Sequence, residues 1–91
     1  MGSESKKRVS VSDLDEILRV LKEKKSDLQI NKKHNSILIE KGSKNFEVHK
    51  DGTVKGSMPL HSFHTHSAKS LDIDEEEIEV HYNGGTYVFK I

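Results

Sequence analysis

Residues 78–91 read IEVHYNGGTYVFKI. Apolar and polar residues alternate on both sides of the central Asn-Gly-Gly, the apolar set being Ile78, Val80, Tyr82, Tyr87, Phe89 and Ile91. Side chains of a strand point alternately to opposite faces, and an Asn-Gly or Gly-Gly pair between two such runs is the signature of a hairpin. The stretch therefore predicts an antiparallel hairpin that belongs to the core and ends on the last residue of the sequence.

A helical period replaces this alternation near the start of the sequence. Apolar residues fall at i, i+3, i+4 and i+7, at Leu14, Ile17, Leu18 and Leu21, which is one face of an α-helix. Asp13, Asp15 and Glu16 fall in the first turns and Lys22, Lys24 and Lys25 in the last, as the helix dipole favours. Ser10 and Ser12 compete for the N-cap, because an acidic residue follows each of them three positions later. The pattern predicts a helix over residues 11–25, to within two residues.

Several short strands are predicted between the helix and the terminal hairpin. The first contains Leu28 and Ile30, and the second is the apolar run 37–39. The third has Phe46 and Val48 on one face and Glu47 and His49 on the other, and a later one contains Leu71 and Ile73. Asp51-Gly52 indicates a further hairpin. Its second strand has Gly56 between two apolar residues, which suggests an edge strand or close packing.

The fold class predicted by these elements is α+β. One N-terminal amphipathic helix packs on a mostly antiparallel sheet of five to six short strands. Residues 1–8 are predicted to be a disordered lead-in, and 9–91 a single domain. The predicted core consists of Leu14, Ile17, Leu18, Leu21, Ile37, Ile39, Phe46, Val48, Ile78, Val80, Tyr87 and Phe89.

Composition narrows the class of protein. The 91 residues contain no cysteine, which excludes disulfides, thiolate nucleophiles and cysteine-ligated zinc. No apolar run approaches the roughly 20 residues of a membrane span, and no apolar segment follows Met1 as in a signal peptide. A cytoplasmic protein without a membrane partner is expected.

The net charge is zero but unevenly distributed. Residues 1–50 contain twelve Lys/Arg and eight Asp/Glu, and residues 51–91 contain three and seven, so the halves carry +4 and −4. Either the halves neutralise each other across the folded surface, or a basic face binds an acidic partner.

Residues 59–69 allow two conformations. Pro59 suits the first position of a helix whose face would include Leu60 and Phe63. The series of Ser, Thr and His residues favours a loop or a strand instead, and this is the conformation expected.

The same segment carries a candidate metal site of His61, His64 and His66. Neutral imidazole binds zinc and other transition metals. On a strand, His64 and His66 share a face and His61 points away, so a third ligand would have to come from His49 or His81. The alternative is a polar loop whose histidines are solvated, with no cofactor.

Charged runs suggest further hypotheses. The acidic residues from Asp72 to Glu79 lack the ligand pattern of an EF-hand and are expected to form a solvated turn that can pair with cations of the first half. Lysines are abundant, but no aromatic residue precedes Phe46 and only Arg8 and Arg19 are arginines. Nucleic-acid binding is thus possible through phosphate contacts, but is not favoured.

No catalytic motif is present, so the sequence does not indicate an enzyme. The expected function is a small non-enzymatic module that binds a protein partner through an exposed strand edge or a charged face. Metal binding by the histidine cluster and weak nucleic-acid binding through lysines are the alternatives. The sequence leaves the oligomeric state open.

Overall fold

The computed structural model describes residues 6–24 and 27–90. Within them lie one helix and nine strands. In chain order they are β1 (Lys7–Ser10), α1 (Leu14–Lys24), β2 (Gln29–Lys32), β3 (Ser36–Lys41), β4 (Lys44–His49), β5 (Val54–Met58), β6 (His61–Thr65), β7 (Ala68–Ile73), β8 (Glu77–Tyr82) and β9 (Gly85–Lys90). The predicted α+β class with one N-terminal helix and antiparallel strands is confirmed.

The strands form two antiparallel sheets. The first has the order β1-β7-β8-β9 and the second has the order β2-β3-β4-β5-β6. The prediction of five to six strands was too low, because two strands have weak patterns of their own. Half of the residues of β1 are charged and most of those of β6 are polar, and each strand forms by pairing with a neighbour whose apolar alternation is clearer.

Helix α1 begins later than the sequence pattern suggests. Val9 and Ser10 are drawn into β1 by pairing with β7, and Asp13 takes the N-cap position. Its Oδ1 accepts a hydrogen bond of 3.3 Å from the backbone N–H of Glu16. The prediction of Ser10 or Ser12 as the N-cap was therefore wrong. The predicted last residue of the helix, Lys25, lies outside the described residues.

Aromatic residues join the two sheets. The rings of Phe46 on β4 and Phe89 on β9 lie 4.8 Å apart, and both contact the space above Gly56 on β5. Phe63 on β6 stacks on Tyr87 of β9 at 4.0 Å. Strand β9 thus crosses β6, β5 and β4 in turn. Gly56 marks close packing rather than an edge, since β5 lies between β4 and β6.

The core contains most of the predicted residues. Ten of the twelve are buried, while Leu18 and Tyr87 are only partly buried against the core. Sequence reasoning missed Val9, Val11, Val20, Val54, Ala68, Leu71 and Ile73, which are also buried. Most of these belong to β1, β5 and β7, whose burial depends on the partner strands and the second sheet.

Only the last three residues of the predicted lead-in, which spans residues 1–8, belong to the described part of the chain. Residues 1–5 lie outside the described residues, whereas Lys7 and Arg8 belong to β1 and pair with Ile73 and Asp72. The only helix in the described part of the chain, α1, has 11 residues, and it is not long and apolar enough to cross a membrane.

Residues 59–69 form a turn, strand β6 and the start of β7. The expected loop or strand is therefore present, and the alternative of a helix is not. Pro59 and Leu60 make the turn between β5 and β6. Leu60 has a φ of 72°, and proline followed by a positive φ is the arrangement of a type II turn. Strand β6 then follows at the edge of the five-stranded sheet.

Candidate functional surface

Strand β6 has one open side. It pairs with β5, and no other described strand pairs with it. Met58 and His61 flank a two-residue turn, so theirs is a hydrogen-bonded pair, and hydrogen-bonded and non-hydrogen-bonded pairs alternate from there. The register therefore directs the backbone N–H and C=O groups of Ser62 and His64 away from β5. These groups can pair with a further strand.

The β6 edge lacks the features by which proteins protect an exposed edge. Charged side chains, proline within the strand and bulges usually serve this purpose. Strand β1 carries Lys7 and Arg8, and β2 ends on Lys32. Strand β6 reads HSFHT, without lysine, acidic residue or proline, and it pairs with β5 without a register shift. Of the four edge strands of the described sheets, β1, β2 and β9 each contain lysine, and β6 is the one without a lysine, an arginine, an acidic residue or a proline.

A groove lies beside this edge, on the face of the five-stranded sheet that points away from the first sheet. Its volume is about 450 Å³. The lining residues are Leu38, Asn45, Glu47, Lys55, Gly56, Ser57, Ser62, Phe63 and His64. Most of them alternate along their strands with the buried residues, so the groove follows from the two-residue period of the strands.

The charges in the groove are arranged in one row across the sheet. The register aligns Glu47 with Lys55 and Lys55 with His64. Glu47 Oε2 accepts a hydrogen bond of 2.8 Å from His49 Nε2. Lys55 is exposed and makes no ion pair with the other described residues. The groove thus offers a cation next to the open backbone groups of β6.

Leu60 stands at the end of the same hairpin. Its side chain is fully exposed, at 105%, and its backbone has the left-handed conformation that L-residues adopt at a cost. An exposed leucine in a strained turn adds an apolar contact point at the end of the β6 edge.

The three candidate metal ligands do not converge. His64 and His66 lie together, with ring centroids 4.6 Å apart, and Thr53 Oγ1 lies 3.1 Å from His66 Nδ1. His61 lies on the opposite face, where its ring stacks on Tyr87 at 5.4 Å. This is the arrangement expected for a strand. Zinc binding by these histidines stays a prediction, and its geometry is that of a pair.

The two proposed sources of a third ligand are engaged elsewhere. His49 Nε2 bonds Glu47, as described above. His81 belongs to the other sheet, where its Nε2 lies 2.9 Å from Asp72 Oδ2.

Sequence reasoning missed a second cluster, on the outer face of the first sheet. One ligand atom each from Asp72, Glu79 and His81 lies within 4.8 Å of the others. Pairing of β7 with β8 brings them together, since Asp72 is the cross-strand partner of Glu79. The signal in the sequence was the alternation of these residues with the apolar residues of two adjacent strands.

Cations of β1 and of the residue before it neutralise this second cluster. Arg8 donates two hydrogen bonds to Asp72, at 2.8 and 3.1 Å, and Lys6 Nζ donates one to Glu79 at 2.6 Å. The Arg8 guanidinium, with a smaller effect of His81, lowers the pKa of Asp72 to about 2. Partial burial acts in the opposite direction but is outweighed. The cluster is an ion-pair network that ties β1 to β7 and β8, and it joins the basic first half of the chain to the acidic second half.

The fold and this surface define a class: a small domain of two antiparallel sheets and one helix, with an unprotected strand edge. The chain matches no protein-family model, and it is similar to none of the curated proteins or solved structures with which it was compared. Its function therefore has to be argued from its own residues.

Proposed function

We propose that the chain is a small non-enzymatic interaction module, and that its β6 edge takes up an extended strand of a partner protein. The open N–H and C=O groups of Ser62 and His64, on an edge without protecting charges, carry this proposal. Addition of a strand to a sheet edge obtains its affinity from main-chain hydrogen bonds and its specificity from pockets for alternate side chains.

The surroundings of the edge supply such pockets. Alternate side chains of an added strand would lie on the groove face, beside Ser62 and His64. Lys55 in the same groove favours an acidic side chain in the partner, because opposite charges attract across an interface. Leu60 offers an apolar contact where the added strand passes the turn.

The test replaces Ser62 by proline and, as the matched control, by alanine. The N–H of Ser62 points away from β5, so proline removes a donor of the open edge without removing a hydrogen bond of the β5–β6 ladder. Peptides selected from a displayed random library against the wild-type chain, with EDTA present, serve as the probe. Their affinities are measured by calorimetric titration.

We expect S62A to bind a selected peptide within about twofold of the wild type. S62P should weaken binding at least about tenfold, since a lost hydrogen bond and the obstructing ring together cost about 1.4 kcal/mol or more. Amide chemical shifts of the wild-type chain provide a measurement that does not depend on the variant. They should change first at Ser62 and His64.

Equal affinity of the S62P variant would overturn the proposal. So would shift changes confined to another surface, or a selection that enriches no peptide.

A further inference from the structure

We infer that the partner strand alternates apolar and acidic side chains, with an apolar side chain facing Phe63 and an acidic one facing His64. The inference rests on the proposed function, because it describes the strand that the β6 edge takes up. It goes beyond that function by stating the chemistry of both faces of the partner strand, and therefore the kind of sequence that binds.

The inward face of the β6 edge ends on aromatic rings that are only partly covered. Phe63 stacks on Tyr87 at 4.0 Å and meets the ring of Tyr82 edge-on at 5.2 Å. His61 stacks on the same tyrosine, Tyr87, at 5.4 Å. His61 is exposed, and the other three are partly buried against the core. An apolar side chain laid beside these rings would remove apolar surface from water, which favours binding.

Strand β9 leads past β6, below the position of an added strand. Its inward side chains follow at every second residue: Phe89 packs over Gly56 of β5, and Tyr87 packs against Phe63 of β6. Residues two apart in a strand are separated by about 6.6 Å, and neighbouring strands by about 4.8 Å. Gly85, the next inward position, therefore lies beyond β6. Nothing lies within 4 Å of a Cβ at Gly85, so space is open there for a side chain of the partner.

The pairing phase of the edge brings one partner residue close to Phe63. The backbone groups of Ser62 and His64 point outward, so these two residues form the hydrogen-bonded pairs with an antiparallel partner, and Phe63 faces a non-hydrogen-bonded position. Cross-strand side chains approach most closely at such positions. The partner residue there points inward, as Phe63 does, and its two neighbours point to the groove.

The groove side of the edge selects an acidic neighbour. The partner residue opposite His64 extends the row that runs through Lys55 to Glu47. His64 and Lys55 are both exposed, and they lie between the added strand and Glu47, which accepts a hydrogen bond from His49. A carboxylate opposite His64 can accept a hydrogen bond from an imidazole N–H, and it is attracted by the charge of Lys55.

The probe is the synthetic peptide Glu-Val-Glu-Phe-Glu-Val-Glu, in which acidic and apolar residues alternate. A serine peptide, with serine in place of each apolar residue, keeps the charge and removes the inward contacts. A lysine peptide, with lysine in place of each glutamate, keeps the apolar residues and reverses the charge. Affinities for the full chain are measured by calorimetric titration with EDTA present.

We expect the alternating peptide to bind at least about tenfold more tightly than either the serine or the lysine peptide. In the wild-type chain, the amide shifts of Ser62, His64 and Gly85 should change, together with the ring resonances of Phe63 and Tyr87. The serine peptide should leave Gly85 and the two rings unchanged, since it places no apolar side chain in the space above them.

The variant K55E tests the charge of the groove. It should weaken binding of the alternating peptide at least about fivefold and strengthen binding of the lysine peptide, because the sign of the nearby charge is reversed. The matched control is K33E, which makes the same change of charge at an exposed lysine in the β2–β3 turn, on the other side of the sheet. It should bind both peptides within about twofold of the wild type, since salt screens distant surface charges.

An alternating peptide that does not bind, or that binds no better than the serine or the lysine peptide, would overturn the inference. So would binding that leaves Gly85 unshifted, or an effect of K55E no larger than that of K33E. Selection from the random library separates the two proposals. Selected peptides that shift Ser62 and His64 without this alternation remove the inference and leave the proposed function standing, whereas both fail if no peptide shifts these amides.

Discussion

Positive φ occurs at turn residues of this chain, among them a leucine and a glycine. Leu60 adopts a φ of 72° with a fully exposed side chain. Gly52 has a φ of 101°, and it lies under the backbone of the segment that leads into β7. At both positions the geometry of the turn requires the positive φ.

We expect the variant L60G to be more stable than the wild type by about 0.5–1 kcal/mol. Glycine adopts positive φ without the Cβ clash, and the leucine side chain makes no buried contact to lose. Urea denaturation measures the difference. L60A is the control: it keeps the clash, so its stability should stay within about 0.5 kcal/mol of the wild type. A destabilised L60G would contradict the prediction.

Gly52 should tolerate alanine much less well than Gly42 does. A Cβ at Gly52 would lie 3.1 Å from the carbonyl oxygen of His66 and 3.2 Å from that of Ala68, whereas nothing lies within 4 Å of a Cβ at Gly42. Both positions have positive φ, so G42A measures the conformational cost of about 1 kcal/mol. G52A adds the steric cost and should lose about 2 kcal/mol or more. Equal losses in thermal or urea unfolding would refute this difference.

Strand β1 shows that an element of low intrinsic propensity can be held in place by charge. Its apolar contribution is Val9, and its Arg8 forms an ion pair with Asp72. Lys6, just before the strand, forms ion pairs with Glu77 and Glu79. The β6 edge is the opposite case, since no charge protects it. The two edges thus differ in charge: β1 carries an arginine paired with its own sheet, and β6 carries neither lysine nor arginine.

The network predicts a pH dependence of stability. The pKa of Asp72 is lowered to about 2 in the folded chain. The ionised carboxylate therefore stabilises the fold fully at pH values above its ordinary pKa of about 3.9, and this contribution is lost as the pH falls from about 4 to 2. Because Arg8 is largely exposed, we expect the contribution to be on the order of 1–2 kcal/mol.

Comparison of D72N with the wild type by urea denaturation between pH 2 and pH 6 checks this. The variant should be less stable near pH 6, and the difference should shrink toward pH 2. E75Q is the control, since Glu75 is exposed and forms no ion pair with the other described residues. A difference that is the same at both ends of the range would contradict the assignment.

The whole molecule depends on the contact between its two sheets. Phe89 reaches across from β9 to Phe46, and both are almost completely buried. Each sheet by itself would expose one apolar face, so this contact makes the two sheets one core.

F89A should therefore cost about 3–5 kcal/mol, which is a large part of the stability of a domain of this size. Its neighbour Val88 on the same strand is exposed at 38%, and V88A should change the stability by less than about 1 kcal/mol. Thermal unfolding followed by circular dichroism distinguishes the two. Similar losses would mean that β9 does not carry the packing between the sheets.

The sequence by itself determined the local elements of this protein. The terminal hairpin, the turn at Asp51-Gly52, the helix and its buried face, and the separation of His64 and His66 from His61 all follow from periods of 2 and 3.6 residues and from turn chemistry, which act over a few positions.

Only the tertiary structure decided the division into two sheets, the capture of β1, the open edge at β6 and the meeting of Asp72, Glu79 and His81. These depend on which strands pair and which sheet faces which, because burial and pairing energies come from residues far apart in the chain. The period of a strand shows which side chains share a face, and the fold decides what that face contacts.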